Sequence, residues 1–249
     1  KPMACYEMAR ALKQDGVGMV FGKLLNMEHQ DRFDEAGSYL TSSGFLWARA
    51  ESGIQDVGQF DQSVPVLSGK SASCMIRRSV FAKIGMFDAS YEILGEETDL
   101  SWRVWLSGWR VLYVPSSVTL HAFNTSMKPK EMYTNKRIYR NGCRNYLTMT
   151  YSNWGKKKWI IPLMTQLMVW TGAGIGMIVT GKLDAGINIF KGIFEFIFNI
   201  RKIWHKRAKA QLEIRKVSDK DLMPIILKNP PFKFYFNRFF HYLRTGRHG

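Results

Sequence analysis

Apolar positions change their spacing along this chain, and each change predicts an element. Residues 2–13 place Met3, Tyr6, Ala9, Arg10 and Lys13 in helical register, and Asp15-Gly16 ends that helix. Residues 17–21 are continuously apolar and predict a short buried strand. Residues 31–65 are rich in Gly, Ser, Asp and Gln, and predict a long loop with hairpin pieces, of the kind that lies over a site. A strand is predicted at 72–76. A helix then runs from Arg77-Arg78-Ser79 through Val80, Phe81 and Ile84 to a closing Gly85. Glu96 opens another helix, with Thr98 or Asp99 as N-cap, ending at Gly108. Two short strands are predicted at 111–115 and 118–121. Helix alternating with apolar strand is α/β grammar.

Beyond residue 150 the pattern changes. Residues 159–181 carry no charge and are long enough to cross ~30 Å of hydrocarbon as a helix, although Pro162, Gly172, Gly174 and Gly176 soften the run. Residues 183–200 contain Asp184, Lys191 and Glu195. Each charge costs about 2.5–3.5 kcal/mol at the centre of a span, against about 0.3–0.6 returned per large apolar residue. That run is therefore expected to lie on a surface, with Asn188, Lys191, Glu195, Asn199 and Lys202 on its polar stripe. Ile189, Phe190, Ile193, Phe194, Ile197 and Phe198 form its apolar stripe.

Charge sharpens this division. The 249 residues carry a net +16, but residues 1–125 hold 12 basic and 14 acidic side chains, whereas 126–249 hold 24 and 6. Such an asymmetry fits an ordinary domain followed by a basic, apolar tail better than it fits a nucleic-acid-binding domain, and no nucleic-acid motif is present. Lys156-Lys157-Lys158 precede the first apolar run, and fifteen Lys and Arg follow from Lys182 onward. Basic clusters on both sides disfavour a single pass. They favour segments lying on, or dipping into, an anionic cytoplasmic leaflet, or a two-helix hairpin. The alternative is two buried helices of a larger soluble fold. Cys5, Cys74 and Cys143 are widely spaced and make neither a disulfide framework nor a zinc signature. No secretory signal is present. The chain begins at Lys1 inside a helical pattern, so further sequence is expected upstream.

Candidate chemistry gathers at Glu96, Glu97 and Asp99, three carboxylates at one helix mouth. On spacing alone, simple helix-start acidity is the better account of them. One helix and one strand later comes His121, so a carboxylate and an imidazole return to one sheet edge, as general base and metal ligand. Arg103 is in register to pair with Asp99 or to reach an anionic ligand. Trp102, Trp105 and Trp109 either line a sugar-sized cleft or pack the core. Gly69 marks a turn or a close backbone approach to a ligand.

These pieces together resemble family 2 glycosyltransferases. The run Ser68-Gly69-Lys70-Ser71-Ala72, then Met75-Ile76-Arg77-Arg78 and 80–88, resembles "sGa..mirr.vf..iGgFD". Residues 96–103 resemble "ED.DL.wR", and 108–115 with His121 resemble "GyrvlyvP…v.H". Asp34-Glu35-Ala36-Gly37, residues 56–61 and Arg144-Asn145 resemble the "D.aG", "D.GqyD" and "RN" pieces of the rhamnosyltransferase-like branch. The resemblance covers about residues 1–150.

The resemblance implies a partial GT-A domain over 1–150, its acceptor-side part, followed by a helical membrane-associated region over 151–249. It implies inverting hexosyl transfer from a dTDP- or UDP-sugar to a saccharide or polyprenyl-linked acceptor, in cell-envelope polysaccharide synthesis. Glu97 is then the catalytic base, with Asp99 beside it. Ser68, Gly69, Glu96, Trp102 and Arg103 contact substrate. His121 helps to hold a divalent metal, Mg2+ or Mn2+, and the enzyme sits at the cytoplasmic face of the membrane. The family's DxD motif is expected before residue 1, since the only literal match, Asp219-Lys220-Asp221, lies in the tail. The competing expectation is a non-catalytic, truncated membrane-associated interaction module.

Overall fold

A computed structural model describes residues 1–122 and 136–231. The basic residues of 232–249 counted above lie outside the described residues.

Two parallel strands form the spine: β1 (Val17–Asn26) and the strand arriving last, β7 (Arg110–His121). Between them come β2 (Phe33–Glu35), the β3–β4 hairpin (Ser38–Leu40 and Leu46–Ala48), β5 (Val64–Pro65) and β6 (Cys74–Ile76). Then follow helices α2 (Arg78–Ile84) and α3 (Glu96–Leu106). A parallel pair needs a crossover, and α3 supplies it. The sheet order is β2-β1-β7-β5, with β6 pairing the first half of β1 on the edge whose second half pairs β2. Every strand pair other than β1–β7 in this sheet is antiparallel.

Residues 17–25 of β1 are buried without alternation because both faces are covered. Helix α1 (Ala4–Leu12) packs Met8, Ala11 and Leu12 on Val17, Val20, Leu112 and Val114. The opposite face packs Met19, Phe21 and Tyr113 with Leu100, Trp102 and Trp105. The α/β expectation holds.

The expected pair of strands at 111–115 and 118–121 is one strand. Its register against β1 jumps from Gly22↔Val114 to Lys23↔Val118. Pro115 has no N–H to give the ladder, so residues 115–117 loop out and pairing resumes. The expected N-caps Thr98 and Asp99 lie within the first turn of α3. The cap position is Gly95, at φ +88°.

Four helices follow: α4 (Lys136–Asn153), α5 (Ile160–Val179), α6 (Leu183–Phe198) and α7 (Ile200–Ala208). A π-helical turn (Lys209–Ile214) and α8 (Asp219–Ile226) complete the described chain. α5 and α6 form an antiparallel hairpin whose crossing is close. A Cβ on Gly174 would stand 2.9 Å from Phe190, and one on Gly186 would stand 2.6 Å from the Gly174 carbonyl. A Cβ on Gly192 would meet the Arg140 carbonyl of α4 at 2.5 Å.

Two expectations change here. The boundary at residue 150 falls inside α4, and Ala210, Ile214, Leu222 and Ile226 join the main core around Trp102. Leu227 bridges to Leu40, and Lys216 N–H donates to the Leu106 carbonyl. The end of the described chain therefore returns to the α/β half. The stripes on α6 do not divide cleanly: of the apolar set Ile189 and Ile193 are buried while Phe194, Ile197 and Phe198 are exposed, and of the polar set Lys191 and Lys202 are exposed. Asn188 is buried, and Glu195 is half-buried between Arg140 and Arg144, whereas Leu183, Ile187, Phe194, Ile197 and Phe198 are exposed. Asp219 is buried against Arg215 and the Gly155 N–H, so the literal DxD match is a packing clamp.

Candidate active site

The C-terminal edge of the parallel pair is where open α/β sheets place ligands. Here β1 and β7 end side by side, with Asn26 opposite His121. Helix α3 runs back against the strands, so its N-terminus, with Glu96 and Glu97, opens at that edge. The loop before it is tense: Glu92, Leu94 and Gly95 all have positive φ, at 51°, 68° and 88°. Asn145 of α4 holds this loop by directing its side-chain NH2 to the carbonyls of Tyr91, Ile93 and Leu94, at 2.7–2.9 Å. Arg144 holds the Ser90 carbonyl. The "RN" pair thus fixes the entry of α3.

Burial first, and then the neighbouring Glu96 charge, push the Glu97 carboxyl up to about 8. The field of Glu35 on β2 adds to this. Glu35 itself is pushed by burial up to about 7, with Lys70 opposing the rise. One Glu96 carboxylate oxygen is buried without a partner among the described residues. Burial and then the Glu97 charge raise the Cys74 thiol, which places β6 on another side of Glu97.

Beside Glu35 stands Asp34. The β1–β2 register advances from Leu24↔Glu35 to Leu25↔Phe33, so Asp34 is the extra residue of a β-bulge. Its freed carboxylate accepts from Lys70 Nζ at 2.6 Å and shares a hydrogen bond with His121 Nδ1 at 2.7 Å. Glu97 and His121 are thereby brought to one region through the adjacent residues Glu35 and Asp34. Ser68 is buried, with its hydroxyl 3.1 Å from Thr98 Oγ1 in the first turn of α3. Gly69 lies against Phe21, where a Cβ would meet Cγ at 2.9 Å; packing alone accounts for this glycine.

Three expected site residues lie elsewhere. Asp99 is two positions from Glu97, about 200° around the helix. It accepts from Arg103 Nε at 2.8 Å, from Asn153 at 2.9 Å and from the Tyr91 hydroxyl at 3.3 Å. Arg103 also donates to the carbonyls of Ile84, Gly85 and Met86, so its guanidinium ties the loop after α2 to α3. Trp102 is fully buried and packs edge-to-face on Trp154, so it belongs to the core and offers no face to a sugar.

Sequence reasoning did not single out Asp34, Glu35, Lys70 or Asn145 for the site, although each stood within a quoted motif. Their signal was a charged or amide side chain in an otherwise apolar or Gly-rich piece. The second acidic motif is also explained: Asp56 and Asp61 clamp buried Lys23 of β1. Burial lowers that ammonium's affinity for its proton, and the two carboxylates more than restore it.

The residues in hand do not complete a metal site. Among the described residues, no group of three or more His, Cys, Asp or Glu side chains is placed to hold an ion. The Asp34–His121 pair has the form by which a carboxylate orients a ligating imidazole, but Asp34 is also committed to Lys70.

Known proteins give the following likenesses. The family pattern described as Glycosyl transferase family group 2 matches residues 1–198. N-acetylglucosaminyl-diphospho-decaprenol L-rhamnosyltransferases of two Mycobacterium tuberculosis strains, CDC 1551 / Oshkosh and ATCC 25618 / H37Rv, are each 42% identical over 62 residues. That stretch is 24% of this chain and 20% of those proteins. A crystal structure of GalNAc-T7 with UDP, GalNAc and Mn2+ aligns with a TM-score of 0.43 and 12% identity, over 79% of this chain and 38% of that one. That alignment is too loose to argue from.

Proposed function

Because the chain belongs to glycosyl transferase family group 2, we propose that it carries the acceptor side of an inverting sugar transfer with Glu97 as general base. The observation behind this is the Glu97 carboxyl at the mouth of α3, held by burial and by Glu96 near neutral pH. A base is most effective when its pKa lies near the working pH. A sugar hydroxyl approaching α3 would give its proton to Glu97 as its oxygen attacks the anomeric carbon, and the nucleoside diphosphate would leave from the opposite side. Glu96 and Glu35 keep Glu97 proton-seeking. Lys70 and the Asp34–His121 pair border the same region with positive and polarisable groups. Asp99 and Arg103 act as positioning residues that fix the turn carrying Glu97.

The donor we propose is a dTDP- or UDP-hexose. The acceptor we propose is a saccharide on a polyprenyl diphosphate, by analogy with the printed activity of the mycobacterial relatives. His121 is the proposed point of contact with a divalent cation, Mg2+ or Mn2+, whose other ligands would come from outside the described residues. No step above passes through that ion.

Membrane contact is part of the proposal. α5 is the one described helix long and apolar enough to cross a bilayer, with 39% of its apolar window buried inside the protein. Its outward residues include Ile161, Met164, Met168, Ile175 and Val179, and α6 adds the exposed apolar stripe given above. Lys156, Lys157 and Lys158 stand at one end of the hairpin and Arg201 and Lys202 follow α6. An apolar surface edged by basic residues suits the anionic cytoplasmic leaflet, where a polyprenyl-linked acceptor would lie.

The test is transfer of labelled sugar to a polyprenyl diphosphate saccharide by membranes from cells expressing the protein. Glu97→Gln is expected to lose about 10²–10⁴-fold in turnover. Retention of most turnover would move the base to Glu96.

A further inference from the structure

Each helix of the α5–α6 hairpin has a buried stripe and an outward one, and their positions follow from the helical pitch. Along α5 the buried stripe is Leu163, Gln166, Trp170, Ala173 and Met177, nearly the whole length of the helix. Ile161, Met168, Ile175 and Val179 lie opposite and are exposed from one end to the other. The helices meet at Gly174 and Ile178 of α5 and at Gly186 and Phe190 of α6. On each helix these contact positions border the outward stripe. The two stripes therefore adjoin, and α5 continues sideways into Leu183, Ile187, Phe194 and Phe198 of α6 as one apolar face.

Cations rim this face. Lys156, Lys157 and Lys158 are exposed before α5, Lys191 is exposed on the flank of α6, and Arg201 and Lys202 are exposed beyond it. Across residues 156–202 the acidic side chains are Asp184 and Glu195, and Glu195 is tied to Arg140 and Arg144. A second copy laid on this face would set one cationic rim against another. Anionic lipid headgroups would complement it. Trp204, exposed just past α6, is the residue type that gathers at the boundary between lipid and water.

The buried stripe limits how such a face can meet a bilayer. Gln166 is fully buried. A Cβ on Gly44, in the β3–β4 turn, would stand 2.6 Å from its Nε2 and 3.0 Å from Thr150 Oγ1 of α4. Four residues on, Trp170 packs against Phe45 of the same turn, with ring centroids 6.0 Å apart. α5 thus lies along the α/β half. Standing it upright in a membrane would carry that turn into the hydrocarbon. It would carry α4 there too, with Arg140 and Arg144, and charge is costly at that depth.

We infer that the hairpin lies flat in one anionic leaflet, its apolar face sunk about 5–10 Å to the headgroup–acyl boundary, with neither helix crossing. This rests on the membrane contact proposed above and specifies its geometry. The apolar length of α5, which would suit a span, is the long axis of the face. The α/β half then stands over the leaflet, wholly on one side.

Depth-dependent quenching tests this on the full chain with Cys5 and Cys74 replaced by Ser. Bimane is attached at Ile161→Cys, Met168→Cys or Val179→Cys, and the protein is bound to phosphatidylcholine–phosphatidylglycerol vesicles. Ile161 and Val179 share one angle on α5 and stand about 27 Å apart along it, close to the thickness of the hydrocarbon. Lipid brominated high on the acyl chain should quench all three labels at least about threefold more than lipid brominated near the bilayer centre. The three ratios should agree within about twofold. Strongest quenching of Met168 by the central lipid, with both ends shallow, would show a crossing helix. Deep quenching at Val179 with shallow quenching at Ile161 would show a hairpin inserted tip first. Either result would overturn the flat geometry and leave membrane contact standing. Vesicle binding without quenching at any of the three would move the contact to another face and overturn the inference. Shielding of the labels in vesicle-free buffer, growing with protein concentration, would overturn it by assigning the face to a second copy. Absence of vesicle binding would overturn the membrane contact itself, and the inference with it.

Discussion

The α/β half and the α5–α6 hairpin handle polarity in opposite ways. In the α/β half, charged side chains go inside and are paired there: Lys23 with Asp56 and Asp61, Asp34 with Lys70 and His121, and Asp99 with Arg103. In the hairpin, Asn188 and Gln166 go inside, while Phe198 is 82% exposed, Val179 80% and Ile161 77%. The first half spends its buried charge on fixing loops and one carboxylate cluster. The second leaves apolar area uncovered well beyond what isolated surface residues need, and the membrane contact proposed above rests on that exposure.

The largest expected effect breaks the hairpin side. Replacing Ile161, Met168, Phe194 and Phe198 together by Ser removes four exposed apolar side chains, each worth about 1.5–3 kcal/mol on full burial. Flotation on anionic liposomes should fall at least about 100-fold, while the melting curve stays cooperative and unshifted. Equal flotation would leave the exposed face unexplained. Truncating the whole tail is a poorer test, because Ala210, Ile214, Leu222 and Ile226 belong to the main core.

The next effect probes the polar side. Asn145→Ala leaves three strained-loop carbonyls without their donor and should cost about 1–3 kcal/mol of stability. Displacement of the α3 entrance should lower transfer between about 10- and 100-fold. A variant with normal turnover and a normal melting curve would show that the loop holds its shape unaided.

The smallest effect is a stability signature of the cluster. Glu97 and Glu35 hold their protons more tightly in the folded chain than in the unfolded one. They therefore favour the fold at acidic pH, and that contribution is lost as pH rises from about 4.5 through 8. Glu97→Gln should melt ~2–4 °C above the wild type near pH 9. The two should converge towards pH 5. A variant that melted lower at both pH values would argue that the carboxylate is solvated.

Much of the α/β half was legible because its signals are local. Residues 17–21 are apolar without a break, Gly85 closes α2 at φ +78°, and Glu96 opens α3. Pro115 misled because a missing N–H looks the same whether it ends a strand or only interrupts it. The α6 stripe was legible only in part, because helical spacing does not show that one apolar stripe is split between the hairpin contact, at Ile189 and Ile193, and the outside, at Phe194, Ile197 and Phe198. Glu195 is half-buried because Arg140 and Arg144, some fifty residues earlier, are there to receive it. Glu97 and His121 were readable at the helix mouth and strand end. Asp34 was not, because its role depends on a bulge set by pairing with β1.

The pH dependence of kcat/KM for sugar transfer, measured for the wild type and for Glu97→Gln, tests the central assignment most directly. The account predicts an ascending limb with its midpoint near 8 in the wild type, and no such limb in the variant. A limb centred near 4.5, or the same limb in both proteins, would contradict it.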